Sequence, residues 1–555
     1  MWSWVRIHAS LIFSRIEEAI EYMKCEGGGN CYNDLKDGDY FKQHLHENNK
    51  IVLPFVLFFD DFETGNPLGS KRGVHKMGAL YLSLRCLHPS KLSKLKNIFL
   101  VSLFPSKLRD KHGNKLIFEE LIEEISSLET NGLNINGKSV IFKLAGFLGD
   151  NLGLNSILGF VESFSANYYC RFCKTPKHIA QLMVKEDKST MRNEENYSHD
   201  VASDNVTASG VKEECVFNRI PSFNCTENYF CDPMHDICEG VANYDMVKII
   251  QYYIENKVFT LDKLNARVQK FKFYKICKSN KPPIISKNRL NNGDLFFSAS
   301  EMHKLVTFFS VIVGDLIPAN CEVWQLYIRL KNILNICSCK SLSSDLCEYL
   351  DVLIREHNSL YLRLFKETLK PKYHLLVHYS RIIRQTGPVS HNWAYRFESK
   401  HYQSKQYATS CRSRINLAKS IAIRHQLLIA SVLHNAPSDD SYEIGPGTVV
   451  DGVYNCEWVA RRGVKLAVGH IVFVRCEEDL PVFGKIQFIL VNCKNEVSLK
   501  LSLLNTIAFD DHINAFMVDH DRNDNITVNV EQQMKPLMIH ILDRQSYVVI
   551  NNYEV

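Results

Sequence analysis

Long apolar segments that end in acidic residues are the first feature of this chain. Residues 51–59 (IVLPFVLFF) form an almost unbroken apolar run that is followed at once by Asp60 and Asp61. A run of this length and composition is typical of a strand that is buried on both faces. A second run, residues 139–148, ends in the same way just before Asp150. The pattern therefore predicts two buried strands that deliver acidic side chains at their ends.

The segments around these two runs predict the order of a mixed α/β fold. Residues 78–87 and 98–104 have the composition of strands. Residues 118–128 have the periodicity of an amphipathic helix, and helical periodicity returns directly after Asp150. The predicted order is strand, strand, strand, helix, strand, helix. One acidic position lies on the first strand and another follows the fourth.

Two short pairs of metal-binding residue types lie at matching distances from two acids. A Cys-x-x-Cys pair begins 20 positions after Asp150, and a His-x-x-x-His pair ends 20 positions before Glu398. Two Cys and two His side chains make a closed tetrahedral zinc site, and each pair has a spacing that zinc accepts. One zinc ion would close about 200 intervening residues into a loop and hold the two acids in one region. The four candidate ligands are Cys170, Cys173, His374 and His378.

The strand order, with a third acid on a late helix, resembles the ribonuclease-H-like fold of DDE transposases. The details look most like the CACTA, Mirage and Chapaev group, with the V(D)J recombinase catalytic subunit as a more distant relative. In those families a Cys-x-x-Cys pair follows the second catalytic Asp, and a His pair precedes the catalytic Glu. Residues 60–69 are similar to the segment at the family's first acid, and the resemblance covers roughly residues 51–426. It implies a catalytic triad, whose members would be Asp60, Asp150 and Glu398, with Asp61 as the alternative first acid.

The resemblance also implies a reaction, its cofactors and its partners. Three converging carboxylates would bind two Mg²⁺ or Mn²⁺ ions for in-line phosphoryl transfer on DNA, and the Cys/His set would bind Zn²⁺. The expected partners are transposon ends and target DNA, together with further copies of this chain. The expected location is the nucleus. Fewer than 60 residues precede Asp60, and none show the spacing of the DNA-reading zinc finger that such transposases carry. We therefore expect a truncated element, a mis-started gene model or a host gene that kept the core, in which cutting chemistry can survive while target choice is lost.

Each pattern taken alone also has an ordinary interpretation. A Cys-x-x-Cys pair can be a redox pair or two unrelated thiols, and two His residues at helical spacing can be partly buried side chains. Asp60 and Asp61 can lie in a solvated turn, and Glu398 can be an exposed helix charge. The alternative function is a domesticated, catalytically inactive transposase-like scaffold that binds DNA or protein.

The segment from Cys231 to Gly240 (CDPMHDICEG) is a further candidate. Asp232 is placed to cap a helix, and Pro233 suits its first position. His235 and Glu239 would then lie one turn apart, as a second metal site or a proton-transfer pair. The alternative is a buried helix start without chemistry.

Composition and hydropathy, together with the family resemblance, divide the chain into segments. The resemblance implies an α/β, ribonuclease-H-like core, a mixed sheet with flanking helices. The sequence pattern adds a large and mostly helical insertion within it and a small all-β domain after it. No run of about twenty apolar residues exists, so no transmembrane helix is predicted. The expected segments are a leader (1–45), the first part of the core (46–176), the insertion (177–371), the second part of the core (372–435) and the β domain (439–555).

The charge distribution separates the C-terminal region from the rest. Residues 439–555 carry 17 acidic and 10 basic side chains, whereas the first 438 residues carry 56 basic and 44 acidic ones. Positive charge is therefore concentrated in the part that would meet DNA phosphates. Candidate contact stretches are residues 270–287 and 412–424, each with a solvated helix face as the alternative. The acidic C-terminal domain is expected to bind protein or to mask the basic core.

Overall fold

A computed structural model describes most of the chain. The described residues are 16–24, 29–47, 50–65, 75–273, 281–411, 415–435, 441–450, 452–461, 464–519, 524–530 and 535–550. The chain forms two compact units. The first comprises residues up to Gly240 and Cys337–Asn435, and the second comprises Val241–Ile336 with residues 436–555. The domain boundaries that the sequence predicts stay predictions.

A mixed five-stranded sheet forms the centre of the first unit. Its strands run in the order β3-β2-β1-β5-β4 across the sheet. Strands β1, β2 and β3 are antiparallel neighbours, β5 is parallel to β1, and β4 forms an antiparallel hairpin with β5. The strands are β1 (Ile51–Glu63), β2 (Lys76–Leu84), β3 (Ile98–Pro105), β4 (Leu133–Ile135) and β5 (Lys138–Gly149).

The sheet forms because its central strands are apolar on both faces. All residues from Val52 to Phe59 are buried, and helix α1 (Ser106–Thr130) packs Phe118 and Ile122 into the same core. The helix connects β3 to the β4–β5 hairpin and is interrupted at Gly113, where φ is 76°. The mixed α/β architecture predicted from the apolar runs is confirmed.

Several predicted boundaries differ from the structure. The strand predicted at residues 78–87 spans Lys76–Leu84. Strand β1 was expected to end at Phe59, but it continues to Glu63 because it pairs there with the start of β2. Asp60 and Asp61 therefore lie within the strand. The helix predicted at 118–128 begins earlier, at Ser106. The prediction missed its first turns because they are largely exposed and carry no apolar periodicity. The short strand β4 was not predicted.

Further helices of the first unit carry the predicted site residues. Helix α2 (Asn151–Ile157) follows β5 directly. Four more helices follow later in the chain, namely α3 (Pro371–Leu376), α4 (Tyr379–Thr386), α5 (Tyr395–Ser410) and α6 (Leu417–Asn435). The remaining α-helices of this unit are Pro89–Leu92, Lys177–Ala180, Glu194–Ser203, Val206–Ser209 and Ser344–Phe365, with a π-helical stretch at Met234–Val241.

Helices α5 and α6 pack against the first three strands. Phe397 of α5 stacks on Phe58 of β1 with ring centroids 4.5 Å apart. The backbone N–H of Leu100 in β3 donates to Nε2 of His425 in α6 over 3.2 Å. These contacts bring the late helices of the chain onto the sheet formed by its early part.

The second unit combines helices with an all-β region. Its helices are Ala242–Glu255, Leu261–Lys270, Lys287–Asn291, Ala299–Val313 and Glu322–Cys337. Its strands are Glu443–Ile444, Gly447–Val450, Val453–Cys456, Trp458–Arg461, Val464–Ala467, Ile471–Glu477, Leu480–Val491, Val497–Asp510, Ala515–Asp519, Asn525–Asn529, Ile539–Leu542 and Gln545–Val548. They form an antiparallel nine-stranded sheet and a separate three-stranded one. The predicted C-terminal β region is confirmed.

The helices of the second unit pack directly on its strands. The indole N–H of Trp324 donates to the carbonyl oxygen of His512 over 2.7 Å. The amine of Lys331 donates to the carbonyl oxygen of Asn514 over 2.8 Å. The ring of Phe308 also lies 5.2 Å from that of His540, so the helices and the strands of this unit pack against each other.

The predicted leader contributes to the core of the first unit. Ile16, Ala19 and Ile20 are buried in the same hydrophobic cluster as strand residues of the sheet. Among the described helices, none combines the length and the apolar character needed to cross a membrane. Parts of several predicted features lie outside the described residues, namely residues 66–69 of the first-acid segment, residues 274–280 and 412–414 of the candidate DNA-contact stretches, and residues 439–440 at the start of the predicted β domain.

Candidate metal centre and acidic site

The two Cys and two His residues that spacing singled out lie together in the first unit. One ligand atom from each side chain can be chosen so that all four atoms lie within 4.8 Å of one another. Sγ of Cys173 is 3.2 Å from Nε2 of His374, and Sγ of Cys170 is 3.7 Å from Nε2 of His378. All four side chains are at most 1% exposed. Among the described residues, this is the group of Cys, His, Asp and Glu side chains close enough to hold a metal ion.

Local structure explains why each pair points inward. Pro371 occupies the first turn of α3, which places His374 in its last turn, and His378 immediately precedes α4. The Cys pair lies in a compact loop, where the backbone N–H of Phe172 donates to Sγ of Cys170 over 3.3 Å. Such an N–H···S bond favours the thiolate form that metals bind. The donor set and its burial fit a structural zinc site.

A carboxylate outside the ligand set fixes one of the imidazoles. Oε1 of Glu186 lies 2.6 Å from Nδ1 of His378 and accepts a hydrogen bond from Nε of Arg381 over 2.9 Å. A carboxylate in this position leaves Nε2 of the histidine free to bind metal. Glu186 was not predicted, although it follows Cys173 by 13 positions, because it belongs to a polar stretch with no metal-binding spacing.

Thiol acidity in the centre is already shifted. A hydrogen bond from Cys170 lowers the pKa of Cys173 below its usual range, and His374 adds to this effect. Burial raises the pKa of Cys170. One thiol of the pair is therefore prepared to act as a thiolate, and a bound zinc ion would stabilise both.

The first two predicted acids follow two residues that are in register on the parallel strands β1 and β5. Phe59 of β1 is opposite Gly149 of β5, so the next residues along the chain are Asp60, within β1, and Asp150, directly after β5. A Cβ atom on Gly149 would lie 2.5 Å from the carbonyl oxygen of Phe59, so the close strand approach requires glycine. Asp150 also caps helix α2 by accepting a hydrogen bond from the backbone N–H of Gly153.

Asp60 and Asp61 have different surroundings. The hydroxyl of Ser106 donates to Asp61 over 2.6 Å, and a guanidinium nitrogen of Arg109 lies 3.5 Å from the same carboxylate. The side chain of Asp60 is twice as exposed as that of Asp61, at 30% against 15%. Asp61 is therefore the more enclosed of the two carboxylates, and Asp60 is the more accessible one.

The third predicted acid is joined to the Met-His-Asp segment. Nε2 of His235 lies 3.4 Å from Oε1 of Glu398, and Nδ1 of His235 lies 2.6 Å from Oδ2 of Asp232. Asp232 also accepts a hydrogen bond from the backbone N–H of Ala394, at the start of α5, over 3.2 Å. His235 therefore contacts Glu398 and Asp232, whereas the sequence suggested a pair with Glu239.

Electrostatic interactions connect the three acids. Burial raises the pKa of Asp150, and the negative charge of Asp60 raises it further, while His235 opposes the shift. Burial lowers the pKa of His235, but its hydrogen bonds to Asp232 and Glu398 outweigh this effect and raise the pKa to about 11. His235 is therefore an imidazolium at neutral pH, and it lies among acids whose charge it partly compensates.

Helix α5 supplies a second functional candidate that the sequence analysis missed. His401 lies one turn after Glu398, and its Nε2 is 3.0 Å from Oδ2 of Asp60. Its Nδ1 is 3.2 Å from the hydroxyl of Tyr81. A histidine three positions after a predicted catalytic Glu is the signal that could have identified it.

The Cys/His group is therefore assembled, whereas the catalytic roles of the three acids and their binding of Mg²⁺ or Mn²⁺ stay predictions. No protein-family model matches the chain, and no curated protein matches it. Function must therefore be argued from the geometry and chemistry of this site.

Proposed function

We propose that the chain is a DDE-type nuclease or strand transferase that cuts DNA by metal-dependent phosphoryl transfer. The observation that carries the proposal is the parallel register of β1 and β5, which makes Asp60 and Asp150 neighbours at one edge of the sheet. Glu398 reaches the same region through His235. The strand order and the crossover by α1 support a ribonuclease-H-like core, in which acids occupy these positions.

The acidic site fits a divalent cation by its charge. Burial is the main cause of the raised pKa of Asp150, and the negative charge of the nearby Asp60 carboxylate adds to it. Hard carboxylate oxygens are ligands that Mg²⁺ and Mn²⁺ prefer. Two such ions held by Asp60, Asp150 and Glu398 would activate a water or a 3′-hydroxyl and stabilise the leaving oxygen.

The chain's own residues orient the carboxylates. The N–H of Gly153 fixes Asp150, His401 lies against Asp60, and His235 holds Glu398. The Cys/His centre binds zinc and connects the loop that follows Asp150 to the helices that precede Glu398. DNA is the proposed substrate, which implies a nuclear location, and further copies of the chain are proposed partners.

A plasmid-nicking assay tests this proposal. We expect the full chain with Mn²⁺ to convert supercoiled plasmid to nicked circles, and Asp150→Ala to lose at least about a hundredfold in rate, because removing a metal ligand removes stabilisation of the transition state. Asp262→Ala is the matched control, because Asp262 is an exposed acid on a helix of the second unit. Equal nicking by wild type and Asp150→Ala would reject the proposal.

A second candidate function is an inactive scaffold that binds DNA or protein. It is favoured by the pairing of Glu398 with the His235 imidazolium, because a carboxylate engaged with a cation has less charge available for metal. Retained DNA binding with no Mn²⁺-dependent nicking by wild type would favour the scaffold.

A further inference from the structure

The buried carboxylate of Asp236 connects the acidic site to the Cys/His centre. Asp236 is 1% exposed. One of its oxygens accepts a hydrogen bond from the side-chain amide of Asn151 over 2.5 Å, and the other accepts one from the hydroxyl of Tyr379 over 2.9 Å. Asn151 directly follows Asp150, and Tyr379 directly follows His378. Asp236 therefore bridges a residue next to each of the two sites.

The Cys pair reaches the same amide by a second route. Arg171 lies between the two cysteines and donates from Nη1 to Oδ1 of Asn151 over 2.6 Å. Its other terminal nitrogen donates to the carbonyl oxygen of Phe230 over 3.1 Å. Both polar atoms of the Asn151 amide are thus held, one from the Cys side and one, through Asp236, from the His side.

Burial makes these hydrogen bonds selective for one arrangement. Asn151 is 7% exposed and Arg171 is 5% exposed. In an interior of low polarity, a broken bond leaves an unpaired polar group at a large cost in free energy. The first residue of α2 can therefore adopt few orientations while both halves of the metal centre stay in place.

We propose that Asp236 is a positioning residue that transmits the geometry of the Cys/His centre to Asp150. The catalytic role of Asp150 rests on the proposed function, whereas the coupling between the Cys/His centre and Asp150 is independent of it. Helix α2 has only seven residues, so the orientation of its first turn sets the direction of the Asp150 carboxylate. Metal in the centre fixes α3, α4 and the Cys loop. Tyr379, Asp236 and Arg171 then fix Asn151, and Asn151 fixes the start of α2.

Hydrogen exchange measured by mass spectrometry tests this coupling on the full zinc-loaded chain. Chelation of zinc should accelerate amide exchange of the peptide covering residues 151–157 by about tenfold in the wild type, because local opening sets exchange rates. In Asp236→Ala the connection to the His side is lost and Asn151 keeps only the bond from Arg171, so chelation should change the exchange of this peptide by less than about threefold. Asp236→Asn should restore much of the zinc response, because its amide can accept from Asn151 and donate to the Tyr379 oxygen.

Two tyrosine variants control for loss of a buried hydroxyl. Tyr379→Phe removes only the donor to Asp236 and leaves the route through Arg171, so its zinc response should lie between those of wild type and Asp236→Ala. Tyr327→Phe should behave as wild type, because the Tyr327 hydroxyl is buried and hydrogen-bonded to the carbonyl oxygen of Val306 in the second unit. Should Asp236→Ala fail to fold, Tyr379→Phe provides the test.

A second readout concerns the acidic site. Asp236→Ala should keep one zinc per chain by metal analysis and weaken Mn²⁺ binding about tenfold, as is usual when an outer partner of a metal site is removed. The inference is overturned if Asp236→Ala or Tyr379→Phe responds to chelation as the wild type does. Absence of nicking by the wild type would instead reject the proposed function and leave the exchange result standing.

Discussion

Asp60 and Asp61 are adjacent on β1, and successive side chains of a strand point to opposite faces. Asp61 contacts Ser106 and Arg109, which hold α1 against the strand. Asp60 lies beside Asp150 and His401. The two carboxylates therefore have different surroundings, and this difference favours Asp60 as the first acid of the proposed triad.

Substitution of Asp60 and of Asp61, one at a time, should separate the effect on nicking from the effect on the free energy of unfolding. We expect Asp60→Asn to abolish Mn²⁺-dependent nicking with little change in the free energy of unfolding. Asp61→Asn should lower that free energy by about 1–3 kcal/mol, because it weakens hydrogen bonds to a partly buried carboxylate, while retaining measurable nicking. Chemical denaturation and nicking assays on both variants check this. The reverse pattern would make Asp61 the first acid.

Lys331 predicts a pH dependence of stability in the second unit. Its side chain is fully buried, and burial lowers its pKa to about 7. Its amine donates to Ser310 and Asn514, while His540 is the neighbouring titratable group. Between pH 7 and the ordinary lysine pKa, the unfolded chain binds one more proton than the folded chain, so stability should rise with pH.

The slope of this rise should be about 1.4 kcal/mol per pH unit, as expected for one proton. Lys331→Met keeps the volume and removes the titration, so we expect the slope between pH 7.5 and 9.5 to fall by about that amount. Denaturant unfolding of the second unit at several pH values measures it. An unchanged slope in Lys331→Met would show that other groups cause the dependence.

The strand pair β1–β5 is the element that places the first two acids. Gly149 allows the strands to meet, because any Cβ atom there would collide with the carbonyl oxygen of Phe59. We expect Gly149→Ala to lower the free energy of unfolding by about 1–3 kcal/mol and to weaken Mn²⁺ binding by moving Asp150. Gly137→Ala, at a turn with open space around it and φ of 78°, serves as a control for glycine replacement alone. Equal Mn²⁺ affinity in both variants would contradict a role for strand approach.

The elements of the core could be predicted because their cause is local. The apolar runs of β1 and β5 are buried on both faces, and their amino-acid composition alone predicts this burial. The end of β1 could not be predicted, because polar residues after Phe59 are kept in the strand by pairing with β2. Strand β4 was missed because three residues carry too little periodicity.

The candidate site could be predicted in part for the same reason. The Cys and His pairs have short spacings of their own, so their approach could be inferred from two local patterns. His401, Glu186 and Asp236 come to their sites by tertiary packing. Nothing in their neighbouring sequence indicates which distant side chain each one meets.

If the Cys/His centre binds zinc, loss of one ligand should affect zinc content and nicking activity together. Cys173→Ser deletes one ligand outside the acidic site, and we expect it to lose zinc and nicking activity while the sheet stays folded. Metal analysis and circular dichroism on the purified variant provide the measurement. Full zinc content in Cys173→Ser would show that the four residues do not form one site. Cys86→Ser is a suitable control, because Cys86 is a buried thiol in the sheet core.

The acidic C-terminal region offers a test of the proposed DNA binding. Its strands pack against helices of residues 241–336, as in the contact of Phe308 with His540, so deleting the region would expose apolar surface. Neutralising acidic residues is therefore a better test than deletion. The double variant Glu478→Gln and Asp479→Asn removes two negative charges from the turn between two strands. We expect salt-titrated, non-specific DNA affinity to stay equal or to rise, because acidic residues repel phosphates. A marked loss of affinity would contradict the proposed division of charge.

The proposed function requires that Asp60, Asp150 and Glu398 form one site for two divalent ions. Electron paramagnetic resonance of the zinc-loaded chain titrated with Mn²⁺ tests it most directly, because two Mn²⁺ ions bridged by shared carboxylates give a spin-coupled spectrum. We predict two coupled Mn²⁺ ions per wild-type chain and loss of the coupled signal in Asp150→Asn, with the zinc content unchanged. A wild-type chain that binds no Mn²⁺, or a coupled signal that survives in Asp150→Asn, would contradict the account.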